Sequence, residues 1–335
     1  MAGLLYYIAL ATISTVLIWK SSSLLEETSE KLAAYYGLPA VVQGAVIAAI
    51  GSSFPELSST VISVIVHGNF ELGIGAIVGS AIFNILLIPA VSVIANGKMI
   101  DANRDIVYKE AQFYMLSIAV LLLTFSMAVI YNPLPGQLRG EVTRWLALIP
   151  VAVYGLYIFI QYEDTKDGGP ERVENIAEKK QWALLAASLV LIVIGVEGLV
   201  RSAVEFGNIF NTPSFLWGLT IVAAGTSLPD TVVSYKAAKD GEGVTSMANV
   251  LGSNVFDLLI AIPAGVLLAG ATPVNYAVAV PMFGFLTFAT ISLFTTLRTD
   301  LELYRKEAYF LLLIYAAFLI WMITETFGAT NLIPV

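Results

Sequence analysis

Glu56 and Asp230 are acidic residues set in strongly apolar sequence, and each stands in a copy of the same pattern. The first copy reads Gly51-Ser52-Ser53-Phe54-Pro55-Glu56, followed by Gly79-Ser80-Ala81-Ile82-Phe83-Asn84. The second reads Gly225-Thr226-Ser227-Leu228-Pro229-Asp230, followed by Gly252-Ser253-Asn254-Val255-Phe256-Asp257. Ionisable groups at membrane depth are costly and mark function. The chemistry on offer is oxygen only: carboxylate, hydroxyl, amide and main-chain carbonyl. Gly51 to Pro55 and Gly225 to Pro229 make poor helix, because Gly costs about 1 kcal/mol and Pro about 3 in a helix interior. Pro55 and Pro229 also deprive the carbonyls of Gly51 and Gly225 of an N–H partner. Unpaired carbonyls at depth are tolerated where they line a site. Calcium and sodium are hard cations that take such oxygens.

Ser80 and Asn84 are spaced i,i+4, as are Ser253 and Asp257, so each pair shares one helix face. Gly73, Gly75 and Gly79, with Gly252 in the second copy, are expected to let helices approach closely. The predicted site is Ser52, Ser53, Glu56, Ser80, Asn84, Thr226, Ser227, Asp230, Ser253 and Asp257. Three carboxylates without a neighbouring Lys or Arg favour a cation over an anion or a neutral solute.

The elements that must hold these residues are membrane helices. The 335 residues are 58% hydrophobic and 13% charged, against about 25% charged in soluble domains, and mean hydropathy is +0.82. Apolar runs suit ten spans, at 3–20, 39–66, 70–96, 111–131, 143–161, 182–204, 213–238, 243–269, 275–297 and 306–326. The first has no basic leader and no cleavage motif, so it is expected to be a membrane helix rather than a signal peptide. Spans 2, 3, 7 and 8 carry the two motifs and are expected to be discontinuous. The absence of cysteine excludes disulfides and thiolate metal sites, and a single histidine excludes multi-His metal centres. A net charge of −8 argues against nucleic acid, and no phosphate-binding loop is present for ATP. The expected partners are inorganic cations and the lipid bilayer, with no cofactor, no enzymatic activity and no obligate protein partner in evidence.

All of the 17 basic residues except Arg139, Arg144 and Arg201 fall in the odd-numbered loops. Those loops are therefore expected to be cytoplasmic, with both termini extracellular, in a multi-pass protein of the cell membrane. The polar stretch 163–181 reads as a cytoplasmic linker between a first five-helix repeat, 1–162, and a second, 182–335. An odd number of spans per repeat inverts the second relative to the first, giving a pseudo-two-fold axis in the membrane plane. The fold expected is thus all-α, ten transmembrane helices in two inverted repeats, with Glu56 and Asp230 meeting near the midplane. Ser21 to Leu38, with Glu26, Glu27, Glu30 and Lys31, reads as a surface helix or an extension of the first span. Glu197 and Glu205 read as interfacial groups, and His67 and Glu71 as flanking a wet turn.

The paired motifs resemble the alpha repeats of the calcium/cation antiporter superfamily, which includes the sodium/calcium exchangers, and the likeness covers nearly the whole chain. The resemblance implies sodium-driven calcium export by alternating access. It implies calcium binding by Glu56 and Asp230 with the hydroxyls of Ser52 and Thr226. Sodium sites are implied at Ser53, Ser80, Asn84, Ser227, Ser253 and Asp257, helped by carbonyls near Ala49 and Ala223. Asp230 in place of the commoner Glu, and Gly79-Ser80-Ala81 in place of Gly-Ser-Asn, resemble the potassium-dependent branch, making Asp230 and Asp257 candidates for potassium coupling. The long regulatory loop of the animal plasma-membrane exchangers is missing, so regulation through it is not expected. Exporting calcium against a ~10⁴-fold gradient costs about 5.5 kcal/mol, and about 4.6 more against ~100 mV. One sodium entering down a ~tenfold gradient returns about 3.7 kcal/mol, so three suffice and two do not. A proton/calcium antiporter and, from another class, a cation channel are the alternatives.

Overall fold

The computed structural model describes residues 2–37, 49–97, 99–136, 138–164 and 176–330. It is mostly helical. Helix α1 (Ala2–Tyr35) carries the first apolar run and continues unbroken through the acidic stretch, so that stretch is a helix extension. Helix α2 (Ala49–Ile65) holds the first acidic motif; residues 39–48 of the expected second span lie outside the described residues. A tight turn at Gly68, in the left-handed region at φ 62°, leads to α3 (Phe70–Asn96), whose first turn is capped by the Asn69 side chain. Then come α4 (Ala111–Tyr131), entered through a π-turn at Asp105–Glu110, and α5 (Arg144–Asp164). Most of the expected linker, 165–175, lies outside the described residues.

The second half begins with α6 (Glu178–Phe210). The next span is divided into α7 (Ser214–Trp217), a π-turn at Gly218–Val222, α8 (Ala223–Thr226) and α9 (Leu228–Lys239). Helix α10 (Gly243–Phe256) passes through a π-turn at Asp257–Ala261 into α11 (Ile262–Ala269). Helices α12 (Tyr276–Arg298) and α13 (Arg305–Thr326) complete the bundle. Among the described residues eight helical stretches are long and apolar enough to cross a membrane, and the pair Ser214–Thr226 and Leu228–Lys239, bent by 45°, makes a ninth.

Within the described residues, three of the four expected breaks take a milder form. Helix α2 runs through Pro55 and α3 through Pro89. Span 8 continues through its π-turn. Among the described residues only span 7 is sharply bent, at Ser227. There Pro229 lies in the first turn of α9, where a missing N–H costs nothing. A proline within a helix removes one hydrogen bond, and tight packing on neighbours can hold the helix straight enough to continue.

Two short ribbons, absent from an all-helical expectation, tie loops together. Strand β1 (Ile100–Asp101) pairs with β4 (Glu302–Leu303), and β2 (Arg139–Val142) with β3 (Thr272–Asn275), both antiparallel. The extended residues pair because loops from the two halves meet at the ends of the bundle, a juxtaposition that local sequence does not encode.

Helix α3 and the α10–α11 span are enclosed, 83% and 78% buried along their apolar windows, and α2 is largely buried as well. The outer faces of α4 and α13 expose Leu123, Ile130, Leu313 and Ile320, as lipid-facing helices do. Helices α1 and α6 pack along their length. Gly195 and Gly198 make this possible, since a Cβ there would stand 2.8 Å from the Ile18 side chain and 2.3 Å from the Ser14 hydroxyl. On α3, a Cβ at Gly75 would meet the Phe215 carbonyl oxygen at 2.7 Å, and one at Gly79 the Leu219 carbonyl oxygen at 2.3 Å. Gly252 departs from expectation: nothing lies within 4 Å of its Cβ position. The two boxes share sequence but not surroundings.

A buried oxygen cluster at the crossing of the two motifs

The two motifs meet. Ser52, Ser53 and Glu56 come from α2, and Ser80 and Asn84 from the facing side of α3. Thr226 and Ser227 lie at the bend of span 7, Asp230 in the first turn of α9, and Ser253 and Asp257 on α10 and at its end. All ten expected side chains are buried, none more than 4% exposed. Among the described residues no Lys or Arg is buried, so no basic side chain neutralises the three carboxylates inside.

Polar links run across the two halves. The Asn84 amide donates to Asp230 Oδ2 at 3.0 Å and to Asn254 Oδ1 at 3.1 Å. The Ser80 and Ser227 hydroxyls are 2.7 Å apart, and those of Ser52 and Ser253 are 3.2 Å apart. Within each motif the same contact recurs: Ser80 reaches Glu56 Oε1 at 3.4 Å, and Ser253 reaches Asp230 Oδ1 at 3.3 Å. Asp230 also gains from its place at the start of α9, where unpaired N–H groups and the helix dipole favour negative charge. Glu56, in the interior of α2, has no such help.

The halves differ where it matters for charge. Asn84 puts an N–H donor on Asp230. Its counterpart, Asp257, offers Glu56 another acid. Both Asp257 carboxylate oxygens, Glu56 Oε2, Asn84 Oδ1 and the Ser53 hydroxyl are buried without a hydrogen-bond partner. The Ser53 hydroxyl is turned towards Asp257 but falls outside hydrogen-bonding geometry, and Glu56 and Asp230 are the charges that face it. Buried polar oxygens are almost always paired, and a concentration of unpaired acceptors is chemistry suited to a cation. Among the described residues no three acidic or histidine groups cluster tightly enough to cage a metal unaided. Hydroxyl, amide and carbonyl oxygens must complete any coordination here.

The main-chain oxygens are less free than the sequence suggests. The Ala223 carbonyl already accepts the Ser227 N–H at 3.0 Å and the Thr226 hydroxyl at 3.3 Å. The Thr226 hydroxyl is also 3.1 Å from the Val222 carbonyl. Ala49 is the first described residue of α2.

Asn254 escaped the sequence reading. Its amide donates to the Ala81 carbonyl and the Tyr114 hydroxyl, each at 3.1 Å, and its oxygen accepts from Asn84. It thereby fixes which way Asn84 points. The signal was available, because Asn254 occupies the box position at which the first motif has Ala81. The small residue in one half makes room for the amide of the other. Tyr114, from α4, carried no local signal.

Residues 6–163 and 180–324 match the family model described as sodium/calcium exchanger protein. The chain belongs to that family. This exchanger is 26% identical to sodium/calcium exchanger MaX1 of Methanosarcina acetivorans, over 91% of the chain and 95% of that protein. It is 24% identical to inner membrane protein YrbG of Escherichia coli, over 75% of the chain and 77% of that protein. A mouse sodium/potassium/calcium exchanger 4 shares 37% identity, over 42% of this chain and 20% of its own length. Among solved structures, the sodium-calcium exchanger NCX_Mj superposes with TM-score 0.63 at 21% identity, covering 94% of this chain and 97% of that one. The H+/Ca2+ exchanger CAX superposes with TM-score 0.71 at 16% identity, covering 95% and 86%. Both likenesses establish the fold. The exchanger is thus a multi-pass membrane protein of cation antiporter architecture.

Proposed function

We propose that this protein exports calcium in exchange for sodium by alternating access, with Glu56 and Asp230 as the central calcium ligands. Ser52 and Thr226 add hydroxyl oxygens to that site. Ser53, Ser80, Asn84, Ser227, Ser253 and Asp257 supply the flanking sodium positions, with main-chain help near Ala49 and Ala223. The observation that carries this reading is the set of partnerless acceptor oxygens on Asp257, Glu56, Asn84 and Ser53. They sit in an enclosed cluster of three carboxylates at the crossing of the two halves.

Ten spans in two inverted repeats, 1–162 and 182–335 with a linker between, would give the cluster equal access to both faces. The repeated contacts Ser80 to Glu56 and Ser253 to Asp230 support that symmetry. The distribution of Lys and Arg favours cytoplasmic odd loops and extracellular termini. Potassium co-transport through Asp230 and Asp257 is the finer proposal. It draws on the shorter acid, on Ala81, and on the likeness to a sodium/potassium/calcium exchanger.

The test is calcium-45 uptake into sodium-loaded proteoliposomes, with potassium present or absent outside. Uptake that requires internal sodium, and is lost in Glu56→Gln and Asp230→Asn while both variants remain monodisperse, is the expected result. Uptake driven only by a pH gradient would assign the protein to proton/calcium exchange. Passive calcium flux without counter-flow would identify a channel. Uptake indifferent to potassium would remove the potassium proposal alone.

A further inference from the structure

The acidic extension of α1 is not a wet helix end. Glu27 and Lys31 pair with each other on its exposed side. Glu30, Glu26 and Ser22 follow one another at four-residue intervals on another side, and enclosure deepens along them. Glu30 is exposed, Glu26 half-buried and Ser22 2% exposed. The Ser22 hydroxyl is buried without a hydrogen-bond partner, although a helical serine could turn to the carbonyl one turn back. Glu26 lies against the first motif, its Cα 3.7 Å from a Cβ built at Gly51, the residue before Ser52. The charged groups that face it are Glu30 on its own helix, and Asp230 and Lys236 on α9. Among the described residues no basic group forms an ion pair with Glu26.

The second half shows what this place looks like without the acid. Gly225, which stands in its motif as Gly51 does in the first, packs against Leu199 of α6. A Cβ there would be 2.6 Å from a Leu199 methyl and 2.9 Å from the Thr15 hydroxyl of α1. Leu199 is fully buried, as is Val200 beside it. The helix beside Gly51 thus carries an acid at the point of contact, whereas Gly225 meets an aliphatic side chain and a neutral hydroxyl. The close approach at Gly51 is made by the Glu26 backbone and so does not itself require an acidic side chain.

We propose that Glu26, with the Ser22 hydroxyl one turn deeper, is a cation-recruiting station at one mouth of the transport path, passing divalent cations on to Asp230. It rests on the exchange function proposed above. In that topology the mouth is cytoplasmic, the side from which calcium is exported at low concentration. A fixed carboxylate in a low-dielectric vestibule raises the local cation concentration and speeds capture, whereas the opposite mouth faces abundant calcium and has Leu199. Lys236, exposed at the same mouth, sets an upper limit on how strongly cations are held there.

The experiment measures calcium KM separately at each face, in vesicles of known orientation, for wild type, Glu26→Gln and Glu26→Asp. Equilibrium calcium affinity of the purified proteins in detergent is measured alongside. Glu26→Gln should raise KM about three- to tenfold at the Glu26 face alone. KM at the other face and the equilibrium affinity should stay within about twofold. Glu26→Asp keeps the charge and should restore most of the loss, which separates recruitment from a packing defect. Raising ionic strength should shrink the difference between wild type and Glu26→Gln. Equal KM changes at both faces, a matching loss of equilibrium affinity, or no change at either face would each overturn the inference. Absence of sodium-driven calcium flux in the wild type would instead refute the exchange function.

Discussion

Gly79 and Gly252 open the same Gly-Ser box, yet the structure assigns them opposite sensitivities. An alanine methyl at Gly79 would stand 2.3 Å from the Leu219 carbonyl oxygen and 2.8 Å from Ala223 Cβ. Carbon and carbonyl oxygen ordinarily meet at about 3.3–3.6 Å, so α3 and the Gly218–Thr226 segment must separate by about 1 Å. The obstacle is backbone, which cannot rotate away. Overpacking of this kind costs about 1–3 kcal/mol, a fall in melting temperature on the order of 5 °C. The displacement acts directly beside Ser80, whose 2.7 Å link to Ser227 joins the halves. Binding geometry is comparably sensitive to a 1 Å error, so exchange should fall roughly tenfold or more. The same change at Gly252 meets nothing within 4 Å and, in a helix, alanine is favoured over glycine by about 1 kcal/mol. Fluorescence-detected thermal melting and sodium-dependent calcium-45 uptake, run on both variants, test this. Wild-type stability and transport in Gly79→Ala, or equal damage from the two substitutions, would refute the packing argument.

Further outcomes follow from the polar cluster. Asn254→Ala removes the partner of Asn84, the Ala81 carbonyl and the Tyr114 hydroxyl, and should cost about 2–3 kcal/mol of stability together with most of the transport, read by melting and uptake. Tyr114→Phe deletes one member of that network and should retain more activity than Asn254→Ala. Asp257→Asn gives the second half the amide that the first has in Asn84; it should abolish any potassium dependence of calcium uptake, with sodium and potassium titrations as the readout. Protons compete with cations for carboxylate oxygens, so uptake at subsaturating calcium should fall as the medium on the calcium-binding side is acidified. Raising calcium should restore it. His67 to Glu197, a partly exposed contact of 3.1 Å, is a pair of the kind worth about 0.2–1 kcal/mol, so His67→Ala should leave the melting temperature nearly unchanged.

Much of this protein is written locally. Long apolar runs must become helices in a bilayer because no water is present to satisfy the backbone, and nearly every expected span coincides with an observed helix. The duplicated motif singled out these residues because two carboxylates at matching places in apolar sequence are hard to account for by packing alone. All ten expected side chains are indeed buried together. What the sequence could not determine depends on neighbours from the other half. Pro55 and Pro89 are helix breakers by propensity, yet α2 and α3 pass through them, while Ser227 bends the chain where the same local argument applied. Gly79 and Gly252 are equivalent as letters and become different only when Leu219 approaches one of them. Asn254 carried no assigned role until Asn84, Ala81 and Tyr114 converged on it. Glu26 reads as part of a surface helix or a helix extension, and only the packing of the Gly51 motif beside it shows that it is half-buried. Propensity and hydropathy are sums over adjacent residues. Hydrogen-bond partners and close approaches are set by residues distant in the chain, and only the assembled bundle fixes them.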